Sequence, residues 1–140
     1  MNEAIDSKKY ILVSQKCSIK NLLMVFVKKS MSDIISNVEL TKVKFKSMYN
    51  TYLSSKCAVI IRFFVHSTRM TFVGVQLEYG RENASNRMEN LKDIHKYAFQ
   101  EEVVGQKTSE NINADPVIFL LGNLNTHIPN SEKQKLNKFS

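Results

Sequence analysis

The sequence predicts an α/β domain of the α+β kind, a mixed or mostly antiparallel sheet with one main flanking helix. Three observations carry this. Two strand-like runs, Cys57–Val65 and Met70–Leu77, are joined by the polar stretch His66-Ser67-Thr68-Arg69 and read as a hairpin. The hydrophobic period then changes: Met88, Leu91, Ile94 and Ala98 recur at three- and four-residue spacing, which predicts a helix over about Glu82–Phe99. A last apolar run, Val117–Leu121, completes the order β-β-β-β-α-β.

Taken in order, Leu22-Leu23-Met24-Val25-Phe26-Val27 is a continuous apolar run stopped by Lys28-Lys29, and its length and β-branched content suit a buried strand. Lys42-Val43-Lys44-Phe45-Lys46 alternates at period two, so the lysines face one way and Val43 and Phe45 the other. Lysine on a strand is a common guard of a sheet edge, and this reading is favoured over a phosphate- or membrane-facing stripe. Asn83 or Ser85 stands where a helix cap is needed. Gln100–Ala114 is polar and aperiodic, a loop. Asp115-Pro116 opens the last strand at a position where proline costs no ladder bond, and Gly122-Asn123-Leu124-Asn125 closes it. Such a strand end is where sandwiches of this class place chemistry. Met1–Lys9 and the polar tail, residues 129–140, are expected to be loose, which leaves residues 10–128 as the domain.

Length and charge bound the function. The 140 residues are one domain's worth, and 43% hydrophobic with 24% charged residues excludes wholesale disorder. With 4 Gly and 2 Pro, collagen-like and Pro/Gly-rich chains are excluded. The 20 Lys and Arg exceed the 13 Asp and Glu, a net charge of +7 that favours anionic partners without choosing among them. Cys17 and Cys57 allow at most one bridge and read as free buried thiols of a cytoplasmic protein. The N-terminus has no secretory pattern and no apolar run approaches the ~18 residues of a membrane span. There is no Walker A loop, no dinucleotide turn, no paired CxxC and no Gly-x-Ser-x-Gly elbow. His66, His95 and His127 are dispersed and read as surface or turn residues.

The run Phe119-Leu120-Leu121-Gly122-Asn123-Leu124-Asn125 resembles the Trp-Leu-Gly-Asp-Leu-Asn motif of the inositol polyphosphate 5-phosphatases, members of the endonuclease/exonuclease/phosphatase superfamily with the DNase I-like fold. Other segments resemble that family in the same order. Leu22–Lys29 matches its Met-Leu-Leu-Val-Tyr-Val-Lys-Lys strand, and Ile35-Ser36-Asn37-Val38-Glu39 its Ile-Ser-Glu-Val-Glu. Ser55–Phe63 matches its Asn-Lys-Gly-Gly-Val-Ala-Ile-Arg-Phe, and Arg87–Ile94 its Arg-Asn-Gln-Asp-Tyr-Lys-Asp-Ile helix. Gly74-Val75-Gln76-Leu77 stands where the family has Asn-Ser-His-Leu. The resemblance covers about Tyr10 to Ile128 and implies the central portion of a four-layer α/β sandwich.

It also implies a chemistry: magnesium-assisted attack of water on the 5-phosphate of an inositol phosphate or phosphoinositide. The motif aspartate, which orients or deprotonates the water, is Asn123 here, and an amide cannot take that proton. The phosphate-contacting histidine is Gln76, which can donate a hydrogen bond but brings no positive charge. Cys57-Ala58 replaces the Gly-Gly pair. The metal-binding glutamate and the Ser-Asp-His motif have no counterparts, while Asn125 and Lys56 keep site-like positions, Lys56 as a substrate-binding candidate. The expectation is a truncated 5-phosphatase-type domain, impaired or inactive, with Mg2+ implied by the family and its binding in doubt. Two alternatives stay open: an active enzyme completed by other segments, and a non-enzymatic basic module that binds phosphoinositide or, as the weaker option, nucleic acid through Lys42, Lys44, Lys46 and Lys56. A partner chain is a further expected cover for one sheet face. The expected location is the cytoplasm, with peripheral membrane association as the alternative.

Overall fold

A computed structural model describes residues 6–18, 21–45, 56–100 and 112–126. Among these residues, six strands and one α-helix follow in the order β1 (Tyr10–Cys17), β2 (Leu22–Lys28), β3 (Ile35–Lys44), β4 (Cys57–Val65), β5 (Thr68–Gln76), α1 (Ala84–Tyr97) and β6 (Val117–Asn123). β3-β4-β5-β6 form one sheet, antiparallel except for the parallel β5–β6 pair, and β1–β2 form a separate antiparallel hairpin. The mixed sheet with one main helix is therefore the predicted one, with an additional strand, β1, ahead of it. The signal for β1 was the run Tyr10-Ile11-Leu12-Val13, rich in strand-forming types.

The period-two pattern sorts β4 onto two faces. Ala58 and Ile60 join Val43, Phe45, Val73, Val75, Leu77 and the helix residues Ile94 and Ala98 in one core. Cys57, Val59, Ile61 and Phe63 pack with Leu23 of β2 in the other. The sheet thus lies between α1 and the β1–β2 hairpin. Gly74 lets the hairpin come close, because a Cβ there would sit 3.2 Å from the Leu23 Cβ and 3.1 Å from the Val59 Cγ2. As expected, Val43 and Phe45 are buried while Lys42 and Lys44 are exposed on the edge strand β3. Lys46 lies outside the described residues. β3 begins earlier than Lys42 because Ile35 already pairs with Val65.

Several expectations shift. The hairpin between β4 and β5 turns through His66 and Ser67 alone, with His66 at φ 53°, so Thr68 and Arg69 belong to β5. The helical stretch starts with a 3-10 turn, Arg81–Asn83, and α1 begins at Ala84. Asn83 stands at the N-cap but its side chain makes no capping bond; its oxygen accepts instead from the Asn86 amide at 3.0 Å. The apolar stripe is only partly the buried face: Met88 is 56% exposed, while Arg87, Asn90 and Asp93 are buried with Ile94. Arg87 explains this, since its guanidinium donates to the carbonyls of Gly80 at 2.6 Å and Glu78 at 3.1 Å and draws that side of the helix inward. Both cysteines are free, but only Cys57 is buried as expected; Cys17, the last residue of the two-stranded hairpin's β1, is exposed.

β6 departs most from its sequence pattern. Ile118, Phe119, Leu120 and Leu121 are each about 40% exposed, because among the described residues β6 pairs only with β5. Phe119 still stacks on Phe72, which stacks on Phe63, with ring centroids 5.0 Å and 5.4 Å apart. A polar cluster anchors the start of β6. Asp115, its side chain fully buried, accepts from Arg69 at 3.2 Å and from the Thr71 hydroxyl, and lies 4.0 Å from Arg62. Arg62 donates through Nε and Nη2 to Glu39 at 2.9 and 2.6 Å and stacks over the Phe99 ring at 3.7 Å.

Candidate functional site

The sequence candidates converge on one end of the sheet. In the parallel pairing of β5 with β6, Gln76 lies directly opposite Asn123. The pair continues one step further, where the Leu77 N–H donates to the Asn123 carbonyl at 2.9 Å. Directly registered partners share a face, and Gln76 alternates with Val75 and Leu77 of the helix-side core, so both side chains stand on the hairpin side of the sheet. There they line a cleft of roughly 460 Å³, together with Asn21 and Leu23 of the hairpin and Leu121 and Gly122 of β6. A volume of this order suits a small ligand.

Gly122 is what delivers Asn123 to that position. Its φ is 118°, a conformation that L side chains rarely adopt, and a Cβ there would run into the Val75 carbonyl oxygen. Asn125 closes the strand end. Its backbone N–H donates to Asn123 Oδ1 at 3.0 Å, and its side-chain amide donates to the Leu77 carbonyl at 2.7 Å. Its φ of 48° is one that asparagine tolerates. In this structure Asn125 is the clamp between the ends of β5 and β6, and it sets the orientation of Asn123.

Lys56 precedes β4 at the same end of the sheet, but its ammonium is bound to the Glu78 carboxylate, with both side chains 30% exposed. Sequence reading missed Glu78, whose partner lies 22 positions away and leaves no local pattern. Asn21 was missed too. It lies at the start of β2 and its amide donates to the Cys57 carbonyl at 2.6 Å, fixing the hairpin end over β4. Cys57 and Ala58 themselves lie in β4 without positive φ, so the strand needs no glycine there. His127 lies outside the described residues.

The chemistry available is that of carboxamides. Among the described residues the cleft is lined by Asn21, Gln76 and Asn123 beside apolar and glycine positions, with no acid, imidazole or cation. Carboxamides donate and accept hydrogen bonds but carry no charge and no exchangeable catalytic proton. A hard divalent cation is held chiefly by carboxylates. The lining does not fit one, and no group of three or more His, Cys, Asp or Glu among the described residues could hold a metal ion.

The model of endonuclease/exonuclease/phosphatase family 2 matches residues 1–139. Among solved structures, the chain is similar to the inositol polyphosphate 5-phosphatase domain of spSynaptojanin, in complex with inositol (1,4)-bisphosphate and calcium ion. The TM-score is 0.69 at 24% identity over 92% of this chain. The chain spans 37% of the length of that structure. No curated protein matches. The likeness establishes the DNase I-like fold expected from the sequence, of which the sheet, helix and hairpin described above form a part.

Proposed function

The chain belongs to endonuclease/exonuclease/phosphatase family 2, and on that premise we propose that it is a 5-phosphatase-type domain, spanning residues 10–128, that keeps a headgroup cleft and has lost most or all hydrolysis. One observation carries the reading: Gln76 and Asn123 stand side by side in the cleft, two amides where the resemblance places a histidine and an aspartate. Losing one acid–base group costs about 10²–10⁴ in rate. A lining without carboxylates also withholds the metal that would polarise a phosphate. Magnesium is thus the family's cofactor and a poor match to these residues. What remains is binding, and the spSynaptojanin domain, solved with an inositol bisphosphate, supports an inositol headgroup as the ligand class.

A second reading rests on β3. Lys42 and Lys44 are exposed on one strand, a basic surface suited to anionic lipid or another polyanion. It is compatible with the first, and the location proposed with it is the cytoplasm, at or near a membrane surface. No helix among the described residues is long and apolar enough to cross a membrane.

The test is phosphate release. The chain incubated with magnesium and inositol 1,4,5-trisphosphate is expected to liberate no more inorganic phosphate than buffer. Release that disappears in the Asn125→Ala variant would show instead an active enzyme, completed by a carboxylate brought to Asn123 from elsewhere.

A further inference from the structure

We propose that the open edge of β6 pairs antiparallel with β6 of a second copy of this chain, and that each copy thereby supplies a wall to the other's cleft. The proposal goes beyond the headgroup reading and does not depend on what the cleft binds. Among the described residues β6 has a neighbour on one side only, β5, and the register between them runs without a shift from Val117 to Asn123. Along a strand, the backbone groups of successive residues point to opposite sides. The Asn123 carbonyl points to β5, where it accepts from the Leu77 N–H. Ile118, Leu120 and Gly122 therefore turn their N–H and C=O groups to the open side, a row that another strand can pair. Side chains on both faces of this edge are left part-covered: Leu120 beside Val73 of the helix-side core, Phe119 beside Phe72 of the hairpin-side core.

Charge and symmetry select a second copy as the occupant. Val117–Asn123 carries no charged residue, whereas the other edge strand, β3, exposes Lys42 and Lys44. An acidic partner would be drawn to β3. Two chains of net charge +7 repel where their lysines meet, and a neutral edge is where they can come together. The strand is also complementary to itself. With a two-fold axis at Leu120, Leu120 meets Leu120 of the second copy, Ile118 meets Gly122 and Phe119 meets Leu121, so each opposed pair is apolar or has glycine on one side. Ile118, Leu120 and Gly122 are the outward-pointing residues, so their pairs are the hydrogen-bonded kind. The same register reaches the cleft. Leu121 and Asn123 line it on the hairpin side, and they would face Phe119 and Val117 of the second copy. Seven residues a side make a contact below the ~1,200–2,000 Å² of stable complexes, so the pair is weak, with a dissociation constant on the order of 100 μM.

Sedimentation velocity from a tenth of that concentration to ten times it tests this. The chain is expected to pass from monomer to dimer and stop there, and the dimer to strengthen as salt screens the repulsion between the copies. Leu120→Lys sets two like charges together at the axis and is expected to stay monomeric with an unchanged circular dichroism spectrum. Cross-linking reads the register in chains that keep a neutral edge, with Cys17→Ser as the background. Leu120→Cys brings its two copies to about 5.5 Å between Cα atoms, within disulfide reach, and should form a covalent dimer in a glutathione buffer. Ile118→Cys lies four positions from its own copy, roughly 14 Å, and should not. A chain that stays monomeric throughout would overturn the proposal and give the edge to another segment of this chain or to a different protein. Association that continues beyond the dimer, or cross-linking as ready at Ile118→Cys as at Leu120→Cys, would overturn it as well.

Discussion

Replacing Asp115 with alanine is expected to lower the unfolding free energy by about 3–5 kcal/mol, the cost of breaking a buried ion pair from one side. The carboxylate is fully buried and shared by Arg69, Thr71 and the more distant Arg62. Arg62 retains Glu39, which is 47% exposed, but loses the buried counter-charge facing its other side. Asp115→Asn keeps an acceptor for Thr71 and should cost less. A domain of this size has about 5–15 kcal/mol in total, so the alanine variant should be at the edge of folding at ordinary temperature. Urea unfolding followed by circular dichroism measures this. Equal midpoints for wild type and Asp115→Ala would mean that the cluster contributes nothing to stability.

Gly122→Ala should be nearly as damaging, and by a different route. At φ 118° an alanine carries about 1–3 kcal/mol of backbone strain. Its Cβ would also collide with the Val75 carbonyl oxygen and lie 3.1 Å from the carbonyl carbon. β6 can relieve this only by moving away from β5, which breaks the register that places Asn123 beside Gln76. The expected result is a lowered urea midpoint together with loss of ligand binding in whatever fraction remains folded. A variant with wild-type stability and binding would show that β6 does not run as described.

The fold was legible where one chemical pattern served one local geometry. Alternation of Val43 and Phe45 with Lys42 and Lys44 marked β3, because an edge strand keeps one face wet. The spacing of Leu91, Ile94 and Ala98 marked α1. Its buried face was misread toward Met88 because a buried arginine bound to carbonyls carries no hydrophobic signature. β6 showed the opposite error. Its apolar run implies burial on both faces, yet burial depends on neighbouring strands that the run itself does not encode. At the site, Gln76, Asn123 and Asn125 were found through motif resemblance, and the structure brings all three to one strand end. Glu78 and Asn21 were not legible, since each acts through a partner distant in sequence: Lys56 for the first, the Cys57 carbonyl for the second. Lys56 was read as a substrate-binding candidate, and its ammonium is paired with the Glu78 carboxylate.

The central claim is that three carboxamides from separate elements form one ligand cleft. Asparagine and glutamine side-chain amides give their own NMR signals, so a ¹⁵N-labelled chain titrated with myo-inositol tests it directly. The side-chain signals of Asn21, Gln76 and Asn123 are expected to shift together along one binding curve, while those of Asn86 and Asn90 on α1 stay in place. Shifts confined to α1, or no shift at the three cleft amides at saturating ligand, would contradict the account.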